Sequence, residues 1–102
     1  MNVFGNFLGQ KNYEKTEFLS VTSHLESIIN SDIPSSYTVD VARKIRNMLK
    51  RGDVELEKSD KIRLIKTMNK AKVRALLQSG AGDSYRIFRS LDSITNDLLT
   101  LI

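Results

Sequence analysis

The 102-residue chain has no cysteine and no tryptophan, one proline (Pro34), one histidine (His24) and five glycines. Without cysteine there is neither a disulfide nor a thiolate metal site. With one histidine, a metal site needs several carboxylates to converge on it, and no cofactor or metal is expected. So few chain-breaking residues favour a few long elements over many short strands and turns. Long apolar runs are missing as well: none approaches the roughly 18–20 residues of a membrane-spanning helix. The opening MNVFGNFLGQK has neither a charged leader nor an apolar stretch long enough for a signal peptide, so a cytoplasmic protein with no membrane span is expected. Aromatic residues are scarce, and none lies between Tyr37 and Tyr85.

What is present belongs to a globular chain: 40% hydrophobic and 27% charged residues, enough apolar content to fold and too little charge for disorder. The length fits one domain with a thin core, which association with a second copy or a partner would help to stabilise.

The apolar spacing is helical throughout and predicts an all-α, small four-helix domain behind a flexible N-terminal arm. Residues 1–12, with two glycines and several Asn and Gln, read as the arm, whose Phe4, Phe7 and Leu8 can dock onto the body. A first helix is expected over about 13–30, with Phe18, Val21, Leu25, Ile28 and Ile29 on one face. Pro34 breaks the chain, and Ser36 or Thr38 caps a second helix running to about Arg51, where Gly52 ends it. Its core stripe is Val41, Ala42, Ile45, Met48 and Leu49. Residues 53–58 read as a loop pinning Val54 and Leu56 to the core. The third helix, 59–78, has Leu64, Met68, Ala71 and Ala75 on one side and Ile62, Ile65, Val73 and Leu76 roughly opposite. Two apolar sides predict a central helix with neighbours on both flanks. After the break at Ser79–Gly82, with Asp83 or Ser84 as cap, a fourth helix over 84–101 places Ile87, Phe88, Leu91, Ile94, Leu98 and Ile102 on one face.

Charge is unevenly spread. Residues 1–40 carry −3, residues 41–74 carry +8 and residues 75–102 carry −1. Within the basic segment, Arg43, Arg46 and Lys50 line one side of the second helix, and Arg63, Lys66, Lys70 and Arg74 line one side of the third. If the two helices are neighbours, the seven cations form one outward basic face, suited to an acidic protein or to the regular phosphates of a nucleic acid. The lack of aromatics among them argues against single strands, whose bases stack on rings, and for duplex backbone. About seven residues separate the two helices, too many for a helix-turn-helix.

Other signals are weak. Ser79–Asp83 has the glycines of a phosphate loop but no preceding strand, and Asp83 repels an anion. His24 has no partner spaced to make it a general base and reads as half-buried and structural. Glu14 with Glu17, and Glu55 with Glu57, read as exposed charges, and Arg51-Gly52-Asp53 as a helix stop and turn. Phe4–Phe7, Leu19–Val21 and His24–Ser31 resemble the opening of contractile-tail baseplate wedge proteins. Those continue into an α/β body, whereas this chain continues into helices, and nothing more is carried over.

The sequence therefore leads to a non-enzymatic helical binding protein with no catalytic residue. The expected role is a small nucleic-acid-binding or regulatory accessory protein docking duplex backbone through its second and third helices. The alternative is a protein–protein adaptor, chaperone or assembly or secretion-system subunit acting through its apolar surfaces; on either reading a homo-oligomer or a protein partner is expected.

Overall fold

The computed structural model describes the backbone of residues 3–52, 54–78 and 82–102, and side chains from residue 15 onward except at 53 and 79–82. It consists of four helices: α1 (Val3–Ser31), α2 (Ser36–Lys50), α3 (Lys58–Leu77) and α4 (Gly82–Leu101). The all-α expectation holds, and no strand occurs among the described residues.

α1 begins earlier than its periodicity suggested. Its backbone is helical from Val3, so the expected arm continues the helix axis. Two glycines lower helix propensity without prohibiting it, and extending a nucleated helix costs little per residue when no proline intervenes. The first described core side chain on α1 is Phe18. The docking role given to Phe4, Phe7 and Leu8 lies outside the described side chains, as does the Ser79–Gly82 hinge.

The cap of α2 falls one residue before the earlier of the two expected positions. Ser35 is the N-cap, in extended backbone, and its N–H donates to Thr38 Oγ1 at 3.0 Å. Thr38 is itself fully buried, so this bond satisfies a hydroxyl as well as a helix end. At the other end Gly52 adopts φ +74°, a left-handed conformation that glycine enters without a Cβ penalty. α3 repeats the N-terminal device: the Glu57 N–H donates to Asp60 Oδ2 at 3.4 Å.

Each helix contributes to one core. Phe18, Leu25 and Ile29 meet Ile45 and Met48 of α2, Leu64 and Met68 of α3, and Leu91, Ile94 and Leu98 of α4. Fully burying a side chain of this kind contributes about 1.5–3 kcal/mol, which is what holds the four helices together. Val54 and Leu56 pack against this core from the α2–α3 loop, as the sequence implied.

α1 packs on α2 and α3, and α4 packs on α2 and α3. The backbones of α2 and α3 do not approach each other closely among the described residues; the two are diagonal, as are α1 and α4, and meet only through the shared core. α3 is therefore not central. It has neighbours on two sides, but so does every helix of the four. Polar contacts fix the directions. Glu26 and Asn30 of α1 meet Arg63 and Lys70 of α3 in that order, so these two helices run parallel. Lys72 of α3 meets Asp92 of α4, five residues before α3 ends and ten residues after α4 begins, as in an antiparallel pair.

Candidate interaction surface on α3

At about 100° per residue, the side of α3 opposite Leu64, Met68, Ala71 and Ala75 carries Ile62, Lys66, Asn69, Val73, Leu76 and Leu77. This is the second apolar stripe of the sequence analysis, and it faces outward. Ile62 is 47% exposed, Val73 53%, Leu76 49% and Leu77 74%. Of that stripe only Ile65 packs against the core. A row of large apolar side chains along one exposed helix is the kind of surface that marks an interaction site, whereas scattered ones are ordinary.

Beside it, towards α1, runs the basic row of α3. Arg63 grips Glu26 with two bonds, Nε to Oε2 at 2.7 Å and Nη2 to Oε1 at 2.6 Å. The Thr67 hydroxyl, which donates to the Arg63 carbonyl at 2.9 Å, lies beside the same carboxylate. These bonds from Arg63 hold Glu26 below its ordinary carboxylate range, against the upward push of its partial burial. Arg63 is correspondingly held above its own ordinary value by Glu26. Lys70 Nζ donates to Asn30 Oδ1 at 2.6 Å, a neutral partner that leaves its charge uncompensated. Lys66 and Arg74 have no ion-pair or hydrogen-bond partner among the described residues. Glu26, Asn30, Ile62, Arg63, Lys66 and Lys70 border a groove of about 470 Å³ between α1 and α3, with a mostly apolar lining.

The cations of α2 go elsewhere. Arg43 pairs with Asp40 one turn before it at 3.4 Å, and Arg46 Nη1 reaches Asp97 of α4 at 3.2 Å. Lys50 is exposed on the last turn of α2. Arg43 and Arg46 line a groove between α2 and α4, not one shared with α3. The single seven-cation face is thus corrected. Its two rows sit on diagonal helices, because the chain crosses the bundle between α2 and α3 instead of turning back beside itself.

His24 is exposed, not half-buried. Its Nε2 lies 2.8 Å from the Tyr37 hydroxyl, and the two rings meet edge-on at 5.8 Å. No cluster of three or more His, Asp or Glu side chains suited to a metal occurs among the described residues. Among the described residues, no helix is long and apolar enough to cross a membrane. Sequence reasoning missed Arg86 and Arg89, which join Arg43 and Arg46 in the α2/α4 groove. Their i, i+3 spacing, the same as that of Arg43 and Arg46, was the available signal. The chain matches no protein family, no curated protein and no solved structure.

Proposed function

We propose that the chain is a non-enzymatic adaptor whose α3 face docks an acidic amphipathic helix of a partner protein. One observation carries the reading: an open apolar row (Ile62, Val73, Leu76, Leu77) flanked by a basic row in which Lys66, Lys70 and Arg74 have no carboxylate partner among the described residues. A helix laid along the outer side of α3 buries its own apolar side chains against this row, while its acidic edge meets the cations beside the α1/α3 groove, which Ile62 also lines. The twenty residues of α3 offer about 30 Å of contact, some five helical turns. A second copy of this chain is a poorer occupant, since a two-fold contact between α3 helices brings two basic rows together. A duplex engaging both basic rows needs α2 and α3 side by side, and they are diagonal.

The test is fluorescence anisotropy with a designed Leu/Glu amphipathic peptide of about 20 residues, its Leu/Lys counterpart, and a duplex of about 20 base pairs. The acidic peptide binds, and Val73→Asp or Lys66→Glu with Arg74→Glu weakens it at least tenfold, roughly 1.4 kcal/mol. Duplex binding that survives Val73→Asp, with no acidic-peptide binding, overturns the adaptor reading. So does sedimentation at two chain masses that Val73→Asp reduces to one.

A further inference from the structure

The groove between α2 and α4 has a different character. Two Arg-x-x-Arg pairs line it, Arg43 with Arg46 and Arg86 with Arg89. Ser90, Ser93 and Ile94 complete a depression of about 320 Å³. Arg46 also reaches Asp97, eight residues beyond Arg89 on α4, so it spans the groove from α2 to α4 while both pairs border the same depression. Four arginines around so small a space raise the local positive potential, and an anion seated there lowers their mutual repulsion.

The protein's own carboxylates offset it in part, and weakly. Arg43–Asp40 at 3.4 Å and Arg86–Asp83 at 2.7 Å are local i, i+3 pairs; in each, both side chains are at least half exposed. Pairs of that kind contribute little in water and open readily. Arg46, the least exposed of the three paired arginines, is fixed across the groove by Asp97 at 3.2 Å. Arg89 has no carboxylate partner among the described residues and lies 6.0 Å over the Tyr85 ring. One guanidinium is thus positioned, one has no counter-ion, and two can exchange an exposed aspartate for a better acceptor.

We propose that this groove binds a small condensed phosphate, a di- or triphosphate group, through Arg43, Arg46, Arg86 and Arg89. Guanidinium groups match phosphate oxygens with paired N–H donors, which a short-lived surface aspartate pair does not outcompete. The Ser90 and Ser93 hydroxyls add donors on the same wall. Size decides between a small anion and a long one. Each Arg pair spans three residues, about 4.5 Å of helix axis, so the four groups surround two or three adjacent phosphates. Asp40, Asp83 and Asp97 sit beside the arginines and oppose the continuation of a polyanion beyond them.

The experiment is isothermal titration calorimetry at low ionic strength with inorganic triphosphate, pyrophosphate and orthophosphate, followed by a duplex of about 20 base pairs. Triphosphate binds with one site per chain and more tightly than orthophosphate. Arg89→Ala and Arg86→Ala, both at exposed positions, each weaken it about tenfold, as does Arg46→Lys, which keeps the charge and loses the paired donors. Arg63→Ala on α3 leaves the affinity unchanged. Three results overturn the proposal: no heat with triphosphate, equal weakening by Arg63→Ala, or a duplex that binds more tightly than triphosphate and is lost with Arg86→Ala. The last reassigns the groove to a nucleic-acid backbone. Circular dichroism of each variant separates lost binding from lost folding.

Discussion

Three leucines on α3 receive the same substitution in three environments. Leu64 is 3% exposed, Leu76 49% and Leu77 74%. Truncating a buried leucine to alanine removes its transfer free energy and leaves a cavity, about 2–5 kcal/mol together. Leu64→Ala is expected to cost about 3 kcal/mol. Leu76 has half its surface in water already, so its truncation costs about 1 kcal/mol, and that of Leu77 about 0.5 kcal/mol or less. In a domain this size 1 kcal/mol moves Tm by roughly 4–8 °C. Leu64→Ala then lowers Tm by about 12–24 °C and Leu77→Ala by less than about 4 °C, measured by thermal melts in far-ultraviolet circular dichroism and checked against urea midpoints. Affinity for the acidic peptide runs in the reverse order. Leu76→Ala and Leu77→Ala weaken it, while Leu64→Ala leaves it unchanged wherever the protein is still folded. If Leu76→Ala and Leu77→Ala melt as early as Leu64→Ala, the outer side of α3 is covered by the chain itself and the reasoning from exposure is refuted.

Three further outcomes are expected. The carboxyl of Glu26 is held low by Arg63, so its stabilising contribution is complete above the ordinary glutamate value and is lost as pH falls through the lowered one. Glu26→Gln therefore reduces the urea midpoint at neutral pH and flattens its decline in acid; an unchanged acid limb refutes the link. Gly52→Ala places a side chain at φ +74° with nothing within 4 Å, so the cost is backbone strain of about 1–2 kcal/mol with no clash, seen as a lower Tm that Gly52→Asn partly restores. Thr38→Val removes the acceptor of the Ser35 N–H and costs about 1 kcal/mol, with faster amide exchange in the first turn of α2.

The inner faces of the helices were legible because burial imposes a period. Ile45 and Met48, Leu64 and Met68, and Leu91, Ile94 and Leu98 recur at helical spacing and meet in the core. Periodicity gives the direction of a side chain from its own axis but not the number of helices around that axis. For that reason Ile62, Val73 and Leu76 suggested a central helix when they face outward. Neighbours in sequence suggested neighbours in space, and so the rows of α2 and α3 were joined. The length of the connection carried the contrary signal. Crossing the diagonal of four helices packed about 10 Å apart spans roughly 14 Å, which the residues between Lys50 and Lys58 cover easily and a tight turn does not. Arg86 and Arg89 were hidden by the net negative charge of their segment, since their aspartates cancel them in a sum but do not remove them from the groove.

The diagonal step between α2 and α3 divides the molecule into two helical hairpins, α1–α2 and α3–α4, each closed by a short connection and each half a core. Within a hairpin the partners are close along the chain and associate quickly; between hairpins the contacts are distant and come later. Cutting the backbone in the crossing loop removes no helix and no contact between helices. The two pieces keep complementary apolar sides, so a nicked protein has the means to reassemble by docking one hairpin on the other.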